Sequence, residues 1–288
     1  MLTRILSTLL LWTVVLAILH FCGAPGGVWL IALLAAATQY EFYQMLRHTG
    51  VAPFNRLGLI LGAFVVLTPY YAPYYLGNMA FDTSDVLGCA VILFALRILG
   101  EREPQNRMET LAATLFGLLY VPFMLQFLVR IIGLYDDENV GLALCLWVVA
   151  VAKFCDVGAL LAGLAFGRRQ MAPQISPKKT WEGAAGGLAV AAGIGALLAW
   201  LGDSDRLGGP YFPDNFTPLH AALAALPVAI AAIVSDLIES IIKRRAEVKD
   251  TGQFIPGIGG AFDLSDSLIL AAPVGYFIFN FCLGSSGQ

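Results

Sequence analysis

The segment AALAALPVAIAAIVSDLIESIIKRR, residues 221–245, shows the pattern that decides the fold of this chain. It is apolar up to Val234, then carries Asp236 and Glu239, and ends on three basic residues. An apolar run of this length is typical of a helix that crosses a bilayer, which needs about 20 residues. The basic end predicts where that helix stops, because lysine and arginine collect on the cytoplasmic side of membranes.

The composition of the whole chain supports a lipid environment. Its 288 residues are 58% hydrophobic and 13% charged, whereas soluble domains carry about 25% charged residues. The formal net charge of −3 argues against nucleic acid as a partner, since binding phosphate backbones needs a strongly basic face. The five cysteines and three histidines form neither CxxC nor HExxH spacing, so a zinc centre is not indicated.

Apolar runs of spanning length recur along the chain. They cover residues 5–22, 28–46, 57–76, 84–99, 111–132, 140–166, 183–201, 219–243 and 266–284. We therefore predict an all-α polytopic integral membrane protein with about nine transmembrane helices, the first retained rather than cleaved as a signal peptide. Residues 1–288 are predicted to form a single membrane domain. Its N-terminal helices lie in 1–139, and the C-terminal helices, in 140–288, carry the chemically distinctive motifs.

The basic residues predict the orientation of these helices. Fourteen of the 17 lysines and arginines fall at the N-terminus or after every second run. They are Arg4, Arg47, Arg56, Arg97, Arg102, Arg107, Arg168, Arg169, Lys178, Lys179, Lys243, Arg244, Arg245 and Lys249. The alternate loops are rich in aspartate instead. By the positive-inside rule the N-terminus is cytoplasmic and the C-terminus lies on the opposite side.

Acidic residues near the ends of the last two runs predict a cation site on the cytoplasmic side. Asp236, Glu239 and Lys243 share one helical face, and Asp263 and Asp266 are three residues apart where the last run begins. Structural alternatives are an ion pair between Glu239 and Lys243, or Asp266 as a helix N-cap. Two acid pairs at one membrane face would also suit Mg²⁺ with open positions for phosphate oxygens.

A second motif, SPKKTWEG at residues 176–183, begins in the basic loop of residues 167–182. Lysines at this face have a structural interpretation as membrane anchors, and Gly183 with Gly187 has one as a small-residue packing face. Anchoring requires only positive charge, however, and this run combines hydroxyl, ammonium, indole and carboxylate groups. Asp156 lies within a predicted span, where an ionisable residue suggests a functional site. Together the motifs predict metal-assisted transfer involving phosphates and a lipid.

These motifs resemble those of the membrane phosphatidate cytidylyltransferases, or CDP-diacylglycerol synthases. Their C-terminal signature has the form S-x-x-K-R-x4-K-D-x-G-x-x-I-P-x-H-G-G-x-x-D-R-x-D. The residues that match it are Ser240, Lys243, Arg244, Lys249, Asp250, Gly252, Ile255, Pro256, Gly259, Gly260, Asp263 and Asp266. The family's S-P-K-K-T-W-E-G element is intact, its D-x-G-A element matches at Asp156, and its G-D-L-x-E-S element has Ser235 in place of glycine.

The resemblance implies an enzyme of phospholipid synthesis that converts CTP and phosphatidate into CDP-diacylglycerol and pyrophosphate. It implies Mg²⁺, alone or with a second cation, and a multi-pass protein of the inner (plasma) membrane with its active site facing the cytoplasm. Small-residue helix faces further predict a homodimer. The implied metal ligands are Asp236, Asp263 and Asp266. The implied catalytic cations are Lys243, Arg244 and Lys249, and the implied substrate-binding residues are Ser176, Lys178, Lys179, Thr180, Glu182, Asp156, Glu239 and Asp250.

Several positions depart from the family pattern. Ile258 and Leu264 replace its histidine and arginine, and Ala261 and Ser265 are also unusual. These departures leave two alternatives open: a divergent paralogue acting on another lipid phosphate, and a non-catalytic lipid-binding membrane protein. A third alternative is an ion-coupled transporter that uses Asp156, Lys153 and Asp236 as an ion path.

Overall fold

The computed structural model describes residues 2–76, 81–100, 107–202, 211–248, 251–252 and 259–283, without the side chains of 2–9 and 76. The helices are α1 (Leu2–His48), α2 (Asn55–Leu76), α3 (Thr83–Leu99), α4 (Arg107–Tyr120), α5 (Pro122–Ile132), α6 (Glu138–Phe166), α7 (Trp181–Leu201), α8 (Pro218–Arg245) and α9 (Ala261–Cys282). The strands are β1 (Gln170–Ala172) and β2 (Ser176–Thr180). The predicted all-α polytopic architecture is confirmed in this form.

Within the described residues, seven helical segments are long and apolar enough to cross a membrane. They are Leu10–His48, Asn55–Tyr75, Arg107–Ile132, Glu138–Phe166, Trp181–Leu201, Pro218–Arg245 and Ala261–Cys282. The predicted total of about nine is not confirmed. Helix α3 has only 17 residues, and the first two predicted spans lie within α1, on either side of the non-helical residue Gly23.

Helix α1 bends at Gly23, between the two runs that the sequence separates. Gly23 has φ 57° and ψ −141°, outside the helical range, and Pro25 follows two residues later. Glycine tolerates this positive φ without a steric penalty, and proline is a common cause of kinks. Gly23 therefore divides α1 into two helical segments, one for each apolar run.

The basic stretch after α6 contains a small hairpin that the sequence analysis treats as a loop. Strands β1 and β2 pair antiparallel, with Gln170 opposite Thr180 and Ala172 opposite Ser176, and the register shifts between these pairs. Helix α7 begins directly after β2. The hairpin therefore fixes the SPKKTWEG motif at the entrance of a membrane helix.

Contacts divide the chain into two compact units. The first comprises Met1–Val129 and Lys243–Ser265, and the second comprises Arg130–Ile242 and Asp266–Gln288. In the first unit, α2, α3 and α4 enclose a core of Leu61, Val65, Val86, Ala90, Phe94 and Leu118. Gln39 of α1 donates to Tyr43 Oη and Gly58 O, both at 3.0 Å, and Tyr43 Oη donates to Thr114 O at 2.8 Å. This buried chain of hydrogen bonds ties α1 to α2 and α4.

In the second unit, α6 and α7 pack at very short range. A Cβ atom at Gly186 would lie 2.1 Å from Ala162 Cβ, and one at Gly187 would lie 2.8 Å from Cys155 O. Gly183 and Gly187 are both buried in this interface. The predicted small-residue packing face is therefore used within the chain, and the predicted homodimer, which such faces suggested, stays a prediction.

Candidate active site

Three carboxylates of the second unit converge at Asp236 and Glu239 of α8 and Asp266 of α9. One carboxylate oxygen of each lies within 4.8 Å of the other two. Asp236 and Glu239 are three residues apart on one helix, so their side chains leave the same face. Carboxylates this close repel one another unless a cation lies between them, and oxygen ligands with open positions suit Mg²⁺. The donor set therefore fits the divalent cation that the sequence predicts.

Two lysines contact the aspartates of this acid cluster, which we define as Asp236, Glu239 and Asp266. Lys179 Nζ lies 2.5 Å from Asp236 Oδ2, and Lys153 Nζ lies 3.2 Å from Asp266 Oδ1. Lys153 also lies 3.8 Å from Asp156 Oδ2, one turn along α6. Each lysine is partly buried, so its charge is less screened than on an open surface. The site thus joins acids suited to a metal with cations suited to phosphates.

Asp266 is held through both its side chain and its backbone. Its Oδ1 accepts a hydrogen bond from Ser267 N at 2.6 Å, and Lys153 donates to Ser267 Oγ at 2.8 Å. Its carbonyl oxygen accepts a hydrogen bond from Ser235 Oγ. Ser235 stands where the resembling family has glycine, and it is fully buried. The hydroxyl at this position therefore ties α8 to α9 beside the acid cluster.

Two residues that the sequence assigns to substrate binding also stabilise the start of α7. Thr180 is its N-cap, and its Oγ1 accepts a hydrogen bond from Gly183 N at 3.1 Å. Glu182 Oε2 accepts from Arg168 N and Arg169 N, both at 3.1 Å. Helix N-termini need acceptors for their first N–H groups and favour negative charge. These contacts give Thr180 and Glu182 a structural task, whatever they do with substrate.

The other motif residues lie on β2. Successive side chains of a strand point to opposite faces, and Lys178 is exposed whereas Lys179 is partly buried against Asp236. Ser176 is partly buried and lies opposite Ala172 in the hairpin. The hairpin therefore places Lys179 on the acid cluster and leaves Lys178 accessible.

A separate polar group lies in the first unit, around Asp263 at the start of α9. One carboxylate oxygen of Asp263 forms an ion pair with Lys243 Nζ, and the other accepts a hydrogen bond from Gly260 N at 2.8 Å. Arg244, the neighbour of Lys243, is exposed. The metal-ligand role predicted for Asp263 stays a prediction.

The structure brings together several of the predicted residues. Asp156, Asp236, Glu239, Asp266 and Lys179 belong to the second unit, where the contacts above connect them. Lys249, Asp250 and the departure at Ile258 lie outside the described residues.

Sequence reasoning missed the link between Lys153 and Asp266. The available signal was a lysine within an apolar span, which is rare without a partner.

Comparison with known proteins gives matches along nearly the whole chain. The sequence model of the cytidylyltransferase family matches residues 2–282. The chain is 32% identical to the phosphatidate cytidylyltransferase of Brucella suis over 274 residues, 95% of this chain and 91% of that protein. It is 31% identical to that of Synechocystis sp. over 273 residues, 86% of each chain.

A third relative matches over a shorter stretch. The phosphatidate cytidylyltransferase of Haemophilus influenzae is 36% identical over 164 residues, 57% of this chain and 55% of that protein. The first two likenesses extend through the N-terminal helices, where the sequence motifs gave only a general resemblance.

Proposed function

The chain belongs to the cytidylyltransferase family, and on that premise we propose that it transfers the cytidylyl group of CTP to phosphatidate. An oxygen of the lipid phosphate attacks the α-phosphorus of CTP, and the bond from that phosphorus to the bridging oxygen of the β-phosphate breaks. The products are CDP-diacylglycerol and pyrophosphate. The protein is thus a nucleotidyltransferase that serves phospholipid synthesis.

The observation that carries the proposal is the acid cluster of Asp236, Glu239 and Asp266. We propose that these residues hold Mg²⁺. When bound, such an ion supplies Lewis-acid polarisation of phosphoryl oxygens and neutralises charge that builds up on them. The ion pair of Lys179 with Asp236 supports a site in which this acid is also oriented by the protein's own cation.

The basic residues of the motifs can neutralise the negative charge of the two substrates. Two polyanions must approach each other, so catalysis depends on positioning and on cations placed around the phosphates. We propose that Lys178, Lys179, Lys243, Arg244 and Lys249 bind the phosphates of CTP and lipid. Lys178 and Arg244 are exposed, which suits residues that meet an incoming nucleotide. Ser176, Asp156 and Asp250 are proposed to contact or orient the substrates.

The same proposal places the protein in its membrane. Seven apolar helical segments support a multi-pass protein. The basic residues of Arg168–Lys179 and Lys243–Arg245 favour the cytoplasmic side for both motif regions. We propose an inner-membrane enzyme whose active site faces the cytoplasm, where CTP is made. The phosphatidate then reaches the site from the lipid.

The test is a transfer assay with purified protein in detergent, phosphatidate, Mg²⁺ and CTP labelled in its α-phosphate. Label should enter the organic phase with the wild-type protein, and Asp236→Asn should lower the rate at least about 100-fold. Circular dichroism would show that both proteins are folded. Absence of lipid-soluble label from folded wild-type protein would contradict the proposal and favour another lipid phosphate as acceptor.

A further inference from the structure

Glu41 of α1 is a buried acid that neither motif includes. It is 8% exposed, and its Oε2 accepts hydrogen bonds from Thr251 Oγ1 at 3.0 Å and Phe262 N at 2.9 Å. Among the described residues, neither lysine nor arginine pairs with it. Burying a carboxylate costs several kcal/mol unless hydrogen bonds compensate. The contacts of this carboxylate must therefore compensate for its burial.

The carboxylate of Glu41 contacts residues on either side of positions 253–258 in the C-terminal signature. Thr251 and Gly252 precede these positions, and Gly260 and Phe262 follow them. Phe262 is the second residue of α9, so Glu41 accepts one of the first N–H groups of this helix, where negative charge is favoured. A single side chain thus joins Thr251 and Phe262, which are 11 residues apart in sequence.

Glu41 also explains two glycines of the signature. A Cβ atom at Gly252 would lie 2.5 Å from Glu41 Oε1, and one at Gly260 would lie 2.3 Å from Glu41 Oε2. Neither glycine has a positive φ, so Gly252 is required to leave space for the carboxylate. Gly260 leaves space for the carboxylate and for Thr251 Oγ1, which would lie 2.2 Å from the added Cβ. At Gly252 the described atoms nearest to the added Cβ all belong to Glu41. This makes Gly252 a specific reporter of the contact.

The first turn of α9, which Glu41 contacts through Phe262 N, contains functional candidates. Gly260 N donates to Asp263 Oδ2 at 2.8 Å, and Asp263 forms the ion pair with Lys243. Thr38, one turn before Glu41, donates to Ala261 O at 3.1 Å and lies 2.9 Å from Ser265 Oγ. The unusual Ser265 therefore has a partner on α1. Residues 38–41 fix the first turn of α9 from its side and its end.

We propose that Glu41 is a positioning residue for cytidylyl transfer. By binding Thr251 and Phe262 with one carboxylate, it sets the start of α9 and thereby the orientation of Asp263 and its partner Lys243. This inference rests on the proposed function for its consequence in catalysis, but the contact itself can be tested without activity. Gln39, two residues earlier and also buried, donates to Tyr43 and Gly58 instead and gives a matched control.

The first experiment compares Glu41→Ala and Glu41→Gln with Gln39→Leu in the transfer assay. We expect Glu41→Ala to lower kcat about 10- to 100-fold, the scale of a misplaced catalytic group. Glu41→Gln keeps the volume and one acceptor, so it should recover part of that loss. Gln39→Leu should lower the melting temperature but keep kcat per folded protein. Equal kcat in Glu41→Ala and the wild type would overturn the proposal.

The second experiment is a double-mutant cycle between Glu41 and Gly252. Gly252→Ala alone should lower both the melting temperature and kcat, because its Cβ meets the carboxylate. In the Glu41→Ala background the same change should have little further effect, which gives a coupling between the two sites. Additive losses would contradict the contact.

The two failures can be told apart. If the wild-type protein is folded but transfers no cytidylyl group, the proposed function fails, and the cycle in melting temperature still tests the contact. Coupling in melting temperature without coupling in kcat would overturn the positioning role and leave a purely structural one.

Discussion

Asp263 and Asp266 lie three residues apart on α9, but their surroundings differ. Asp263 has one oxygen paired with Lys243 and the other bonded to Gly260 N. Asp266 lies within 4.8 Å of two further carboxylates and shares Lys153 with Asp156. The described contacts of the first acid are to a lysine and a backbone N–H, whereas the second acid belongs to a cluster of carboxylates.

The charges of the second group give this difference a meaning. Asp236, Glu239 and Asp266 bring three carboxylate oxygens within 4.8 Å of one another. Their mutual repulsion is relieved when a divalent cation lies between them. We infer that the acid cluster is the primary metal site.

The largest expected effect comes from mutating Asp266 and Asp263 one at a time. Asp266→Asn should weaken the binding of Mn²⁺, measured by electron paramagnetic resonance. The loss should exceed the factor of about 10 to 100 that is typical of groups outside the coordination sphere. It should also lower kcat at least about 100-fold. Asp263→Asn should leave Mn²⁺ binding within about threefold while still slowing transfer.

The matched pair makes this result decisive, because both changes replace the same side chain on the same helix. Loss of Mn²⁺ binding in Asp263→Asn as complete as in Asp266→Asn would show that Asp263 is a ligand, as the sequence predicts. It would also remove the contrast between the two acids.

A smaller effect is expected at Lys153, which supplies positive charge to the acid cluster. Lys153→Met removes the contacts to Asp156, Asp266 and Ser267 and should lower kcat about 10-fold, the scale for partners of metal ligands. Lys153→Arg keeps the charge and should retain most of the activity. Full activity in Lys153→Met would show that the acid cluster does not need this cation.

The apolar runs predicted most of the helices because a bilayer span requires about 20 consecutive apolar residues, which can be counted in the sequence. The run at 219–243 corresponds to the helix Pro218–Arg245, and the run at 183–201 corresponds to the helix Trp181–Leu201. The bend at Gly23 was not predictable in the same way, because a glycine and a proline between two runs are equally consistent with a loop. The hairpin at Gln170–Thr180 was missed because its strands are short and lack alternating apolar residues.

The candidate site divides along the same line. Helical spacing places Asp236 and Glu239 on one face, which the sequence predicts without help. The contacts of Lys179 with Asp236 and of Lys153 with Asp266 join residues on different elements, and a single sequence contains no information about that packing. Glu41 is the extreme case: its partner Phe262 is 221 residues away, and a lone acid in an apolar run has no distinguishing spacing.

The smallest effect is expected at Thr180, where a predicted substrate contact and an observed helix cap coincide. Thr180→Ala removes the acceptor for Gly183 N, and loss of an N-cap costs about 1 kcal/mol. The melting temperature should therefore fall by a few degrees while kcat and the KM for CTP stay within about threefold. Thr180→Ser preserves the hydroxyl and should restore the melting temperature. If Thr180→Ala instead raises KM at an unchanged melting temperature, the hydroxyl contacts the nucleotide, and the SPKKTWEG motif belongs to substrate binding as well as to the fold.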